Sequence, residues 1–458
     1  MAHNNTITPP YPRPLPALPA LGRVMWHGDG NLLELLPAAA YRFDFGNLGY
    51  SRRSTVLFNQ PELIRDILRD DGSRFPKSDL MVNALEPLIG QSIFVTDGQR
   101  WKRQRAMIDP AFSQLRISHA FGAMQAAVNA HLDYLAGVAD SGGAFSLDKA
   151  MSHLTADVIC RTIFSTPLEA GVSEEVFEDF TEFEQSVAQV DIFRLIFQKA
   201  WAEVHQPPGV LAACERIRGH LGNLVDPHIA NPDQFNDIAA DVIRARDSDT
   251  GEAFSREELI DQLGVFFLAG HETSASALTW VFYLLAVQPE LVGRLRSEVA
   301  EVVGTAPLHF SQIRQLPLVR AVFRETLRLY PPITFIPRVA LEDCRVGARK
   351  VRRGALVMIS PWTLHRHRAY WERPNEFLPE RFLPGSSLHI QDGCYIPFGA
   401  GPHTCIGAGF AEAEAVLIIA EVVRQFDFSV ADQRRVRPAA RLTTRPAEQI
   451  TLHCRRPR

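Results

Sequence analysis

At 458 residues the chain exceeds the usual size of one domain, and 46% hydrophobic with 22% charged residues is ordinary for a chain that buries a large core. A formal charge of −4 argues against general binding to nucleic acid or another polyanion. Six scattered cysteines, with no CxxC pair and no zinc-type spacing, argue against a disulfide framework or a structural zinc site.

Prolines at 9, 10, 12, 14, 16 and 19 make residues 1–22 a proline-rich lead-in, expected to wrap over the surface. The segment lacks a positive start followed by an apolar core, so neither a signal peptide nor a membrane anchor is expected, and a reducing cytoplasm fits the cysteine usage. No repeat, linker or composition shift follows. One domain spanning 1–458 is therefore expected despite the length.

Strand-like runs occupy 41–58 and 338–360, helical periodicity dominates from about 98 to 330, and "FDFSV" and "AEQITLHC" close the chain as strands. The expected class is mainly α with small β-sheets. Two basic runs, Arg100–Arg105 and Arg349–Arg353, read equally as solvated faces or as docking surfaces for an acidic partner.

The longest helix is expected from Ser255 to about Val287. "SREE" is a capping box, and Pro289 stops the pattern. Its middle reads "AGHETS", Ala269 to Ser274, within an otherwise apolar rod. A buried acid such as Glu272 costs several kcal/mol unless it is paired or used, so its place there needs a reason.

The decisive stretch is "FGAGPHTCIGAGF", Phe398 to Phe410. Glycines 399, 401 and 407 permit tight turns and close approach of a flat ligand to the backbone, whereas Gly409 lies inside the next helix. A helix starting near Gly407 would turn its free N–H groups toward Cys405 and favour the thiolate.

"FGAGPHTCIG" resembles the heme-binding loop of the cytochrome P-450 monooxygenases. "ETLRLYPP" resembles the family's Glu-x-x-Arg helix and "PNEFLPERF" the segment that completes an ionic triad of Glu325, Arg328 and Arg381. "AGHETS" resembles the oxygen-activation motif, "WKRQR" the helix that sets Trp101 and Arg105 against a heme propionate, and "FIPRV" the propionate-binding Arg338. His403 follows the soluble bacterial pattern, while "WKRQR", "ETLRLYPP" and "PERF" look more like the microsomal branch, a mixture that suggests a bacterial enzyme.

The resemblance implies a cytochrome P-450 fold, with heme b between the long central helix and the cysteine-loop helix. Cys405 would be the iron ligand. Trp101, Arg105, Arg338, Phe398, His403 and Gly407 would surround the heme, and Glu272 and Thr273 would be the acid and alcohol of oxygen activation. The Ala269, Gly270 pair would let the long helix open beside the iron.

An apolar pocket is expected from Phe266, Phe267, Ala269, Gly270, Ile333 and Phe335, with contributions from 75–95 and 183–210. The implied reaction uses O2 to hydroxylate a hydrophobic small molecule: a fatty acid, terpenoid, steroid or aromatic compound. Without a Gly-x-Gly-x-x-Gly loop or an iron-sulfur cysteine cluster, the two electrons are expected from a ferredoxin and ferredoxin reductase. Lys102 and Arg103 are the candidate docking contacts.

Overall fold

A computed structural model describes residues 6–27, 31–48, 53–168, 179, 180, 183, 206–432 and 436–457. Most of the expected 183–210 pocket segment, residues 184–205, lies outside the described residues. Helices dominate, as the periodicity implies. The long helix is Arg256–Ala286, and its N-cap is the expected box: Glu258 N–H donates to Ser255 Oγ at 3.2 Å, while Ser255 N–H donates to Glu258 Oε2 at 2.9 Å. Pro289 is the first residue of the following helix, Pro289–Val303, where its missing N–H costs nothing.

This central helix is buried nearly all round, because Leu147–Phe164, Pro208–Ala230, Pro317–Leu329 and Ala408–Gln425 all pack on it. Apolar residues on every side are what such a position requires. Among the described residues no single helix is long and apolar enough to cross a membrane; the central helix and its successor pass that test only together, and they are bent by 110°.

The sheets are small. A four-stranded sheet runs Phe45–Asn47, Thr55–Phe58, Leu356–Ile359, Ile336–Val339, with Thr55–Phe58 parallel to Leu356–Ile359 in the register Val56 to Val357. The closing strands Asp427–Val430 and Thr451–Arg455 pair antiparallel, and Ala144–Ser146 joins them as a third. A last hairpin, Pro438–Ala440 with Thr444–Pro446, has no counterpart in the expected elements and packs on the central helix.

The proline-rich lead-in is only partly surface wrapping. Residues 6–16 are extended and anchored, with Phe377 N–H on the Ile7 carbonyl at 3.0 Å and Tyr330 Oη on the Pro10 carbonyl at 2.6 Å. Ala17–His27 is a helix instead of the expected extended segment. Pro19 falls in its first turn, where the N–H groups have no helical acceptor, so the proline is tolerated.

Candidate active site

The cysteine loop is built by backbone geometry. Cys405 N–H donates to the Phe398 carbonyl at 2.9 Å and closes the loop, while Gly399 and Gly401 take φ of +74° and +73°. A Cβ on Gly401 would sit in the Leu68 carbonyl oxygen, so only glycine fits there. Gly409 packs directly on Gln114 and Ile117.

Ala408–Gln425 begins just beyond Cys405, with Gly407 as its cap. Burial nevertheless raises the thiol pKa, and the Gly407 N–H and the Arg105 charge only partly offset it. The Gly407 N–H at the helix start thus favours the thiolate, as the sequence implies, but burial outweighs it. Cys405 is exposed by area, but that area opens on an internal cavity and not on the outer surface.

The cavity has a volume of about 890 Å³ and reaches from Cys405 to the middle of the central helix. Phe398, Gly407, Trp101, Arg105, Arg338 and His403 line its cysteine side. Phe266, Ala269, Gly270 and Thr273 of the central helix, with Ile333 and Phe335, line the other parts. Met81, Ile93 and Phe94 come from the expected 75–95 segment, and Gln206 and Pro207 stand at the end of 183–210.

Phe267 is a correction. A step of one residue on a helix turns the side chain by about 100°, so Phe267 leaves the cavity and packs on Phe180, at 4.8 Å between ring centroids, and on His271. The expected local opening at Ala269 and Gly270 is also absent. The helix runs unbroken through both, Gly270 packs on Ile159, and Thr273 Oγ1 donates back to the Ala269 carbonyl at 2.6 Å.

Glu272 is buried and does not line the cavity. Its carboxylate accepts from Arg445 Nε at 3.0 Å and Thr443 Oγ1 at 2.6 Å, and Arg445 Nη1 continues to Asp148 at 2.7 Å. Burial pushes the Glu272 pKa up, but the Arg445 charge and the hydrogen bonds outweigh it and hold the group below its ordinary value. The acid of the motif is thus an anchored carboxylate.

The ionic triad assembles. Arg328 meets Glu325 through two 2.7 Å bonds, Arg381 Nε reaches Glu325 at 3.3 Å, and all three are buried. Arg328 also donates to the carbonyls of His365, Pro374 and Glu376, and Leu378 N–H donates to Glu325. Every charge is met, which is the condition for a buried ionic group to be tolerated.

At one edge of the cavity the charges are cationic. Lys77, which sequence reasoning missed, joins Arg105 and Arg338 there, and the Trp101 ring lies 4.0 Å from that of His403. Burial pulls Lys77 down to about 7 and His403 to about 3, with neighbouring cations acting in the same direction on both. His403 is therefore neutral at pH 7, and its 3.8 Å approach to Asp97 is no ion pair.

His403 Nδ1 is a buried polar atom with no partner among the described residues. A buried cationic edge with an orphaned ring nitrogen, a thiol facing the cavity and a thin glycine wall fit a flat, iron-bearing ligand with anionic substituents. Lys102 and Arg103, the candidate docking contacts, are both ion-paired within the chain. Lys102 pairs with Asp71 at 2.8 Å, and Arg103 pairs with Asp247 and Glu258 at 3.1 Å each, so Arg103 holds the start of the central helix.

A family model described as Cytochrome P450 matches residues 12–453. The chain belongs to the cytochrome P450 family. It is 31% identical over 421 residues to cyclooctat-9-en-7-ol 5-monooxygenase of Streptomyces melanosporofaciens, covering 90% of this chain and 88% of that one. It is 28% identical to cyclooctatin synthase of the same organism (92% and 89% covered) and to a cytokinin hydroxylase of Arabidopsis thaliana (87% and 78%).

Among solved structures, a cytochrome P450DA heme domain superposes with a TM-score of 0.80 at 22% identity, covering 99% of this chain and 98% of that one. The shared fold is thus the mainly α cytochrome P450 fold. Membership makes this chain a heme-dependent monooxygenase that uses O2, a small-molecule substrate and a redox partner.

Proposed function

We propose that this cytochrome P450 hydroxylates a largely apolar cyclic small molecule of terpenoid type, with heme b held by Cys405. The observation that carries the reading is the cavity itself, into which Cys405 opens beneath Ala269, Gly270 and Thr273, with a wall that is mostly apolar away from its cationic edge. The apolar lining by Phe266, Ile333 and Phe335 suits a hydrocarbon framework. Two relatives bear the names cyclooctatin synthase and cyclooctat-9-en-7-ol 5-monooxygenase, which favours terpenoids over fatty acids.

When bound, heme supplies thiolate-ligated iron for the reduction of O2 and oxygen insertion into a C–H bond. The chain's own residues would then divide the work. Lys77, Arg105, Arg338 and neutral His403, beside Trp101, would hold the anionic substituents of the ring. Phe398 would shield the sulfur from water. The triad of Glu325, Arg328 and Arg381 would keep the loop rigid from behind.

Phe266, Ile333 and Phe335 would orient the substrate and exclude water, and Thr273 would offer its hydroxyl to an oxygen in the cavity once it is released from the Ala269 carbonyl. Glu272, held by Arg445, would keep negative charge close to that hydroxyl. Electrons would come from a ferredoxin and its reductase, because the sequence offers neither a dinucleotide loop nor a cysteine cluster. The whole chain would act as one catalytic domain.

The reduced protein with carbon monoxide should show the red-shifted band of thiolate ligation, and Cys405→Ser should abolish it. A spin-state titration with cyclic terpenoid alcohols and with fatty acids then tests the substrate class. Tighter binding of the fatty acids would sink the terpenoid reading and leave the family assignment standing.

A further inference from the structure

Glu414 is a buried acid just behind the cavity wall that none of the roles above uses. It lies in Ala408–Gln425 at 1% exposure, and its neighbours on that helix, Ala411 and Ala415, both line the cavity. Across the helix contact Ser274 Oγ stands 2.6 Å from Glu414 Oε2. Ser274 also lines the cavity and directly follows Thr273 on the central helix.

The second carboxyl oxygen, Glu414 Oε1, is buried with no partner among the described residues. An ionised carboxylate with one bare oxygen would be very costly there, whereas a protonated carboxyl needs only one good bond. Burial pushes the group up to about 8, the Ser274 hydrogen bond lowers it only in part, and no charged side chain acts on it. Glu414 is therefore neutral at pH 7, unlike Glu272, which Arg445 keeps ionised.

We infer that Glu414 is a proton-holding residue that acts through Ser274, so that the Ser274 hydroxyl is a second proton donor to the oxygen side of the cavity beside Thr273. A protonated Glu414 donates its O–H to Ser274 Oγ and leaves the Ser274 proton free to point into the cavity. In the transfer, Ser274 gives that proton to an oxygen acceptor and takes the one from Glu414, which becomes a carboxylate. Solvent water entering the cavity returns the proton.

The stoichiometry requires such donors: O2, two electrons, two protons and a C–H substrate give one alcohol and one water. Glu272 is fixed by Arg445, Thr443 and, through Arg445, Asp148, and its carboxylate has no proton to give at neutral pH. Glu414 holds one on the opposite helix. The inference rests on the monooxygenase reading for its acceptor, but the state of the pair can be read without turnover.

Infrared difference spectra of the holoenzyme between pH 6 and 10 are expected to show the C=O stretch of a buried protonated carboxyl, present at pH 7 and lost with a midpoint near the value of about 8. Glu414→Gln should remove the band, and Ser274→Ala should keep it but move it to the frequency of a weaker hydrogen bond. In turnover, Ser274→Ala and Glu414→Gln should each raise the share of electrons lost to peroxide several-fold, with the carbon-monoxide band intact.

A band unchanged in Glu414→Gln, or peroxide yields in Ser274→Ala equal to wild type, overturns the inference. Loss of the carbon-monoxide band in the wild-type protein would instead sink the heme reading, so the two failures are distinguishable. Should Glu414→Gln fail to fold, the Ser274→Ala band shift and peroxide yield decide alone.

Discussion

Arg445 donates to Glu272 through Nε at 3.0 Å and again through Nη2, tying the hairpin of Pro438–Ala440 and Thr444–Pro446 to the middle of the central helix. Thr444 extends the tie, since its carbonyl accepts from Ser276 Oγ at 2.8 Å and Trp280 Nε1 at 2.7 Å. The same turn places Ala440, Arg441 and Leu442 in the cavity wall. Electrostatic anchoring and cavity shape thus depend on one hairpin.

Arg445→Ala leaves the Glu272 carboxylate buried without its cation, and breaking such a pair costs about 3–5 kcal/mol. Urea denaturation should show that loss. Because the Glu272 pKa is held below its ordinary 4.5 in the folded protein, its contribution is present above pH 4.5 and is lost as pH falls below that value. The variant should therefore show a flatter acid limb than wild type, and equal limbs would refute the pairing.

Two glycines of the cysteine loop separate backbone strain from collision. Gly399 and Gly401 share positive φ, but nothing lies closer than 4.0 Å to a Cβ on Gly399, whereas one on Gly401 strikes the Leu68 carbonyl. Gly399→Ala should cost only the left-handed penalty of about 1–2 kcal/mol. Gly401→Ala should cost clearly more and lose heme. Thermal melts and the ratio of heme to protein absorbance compare the two, and equal effects would contradict the close approach.

Lys77 gives a pH signature. Its folded pKa is drawn from 10.5 down to about 7, chiefly by burial, so between those values the unfolded chain binds the extra proton. Stability of the heme-free protein should then rise as pH goes from about 7 toward 10.5. Lys77→Met should abolish that rise and speed loss of heme from the holoenzyme by several-fold. Denaturation midpoints at pH 7 and 9, with heme transfer to an acceptor protein, measure both.

Much of this was legible in the sequence, for identifiable reasons. The capping box at Ser255 and Glu258, the three-residue spacing of Glu325 and Arg328, and the glycines before Cys405 act within one turn or loop, so local pattern carries them. Arg445 and Glu272 are 173 residues apart, Ser274 and Glu414 are 140 apart, and nothing in the local pattern marks these partners. Lys77 was invisible for a similar reason, since the burial that chiefly lowers its pKa, and Arg338 beside it, are supplied by the fold. At Cys405 the helix start that favours the thiolate is local and legible, whereas the larger opposing burial is collective.

Phe266 and Phe267 were indistinguishable as letters, and the helix separates them into two roles that mutation can read. Phe266 lines the cavity and meets Phe112 edge-on at 5.1 Å, so Phe266→Ala enlarges the space beside Ala269. Phe267 is 1% exposed among Phe180 and His271, so Phe267→Ala empties packed core. The second variant should lose about 3–5 kcal/mol in chemical denaturation while the substrate-induced spin shift keeps its midpoint. Phe266→Ala should instead move that midpoint and admit bulkier ligands. The opposite pattern would place Phe267 at the substrate and overturn the helical phase.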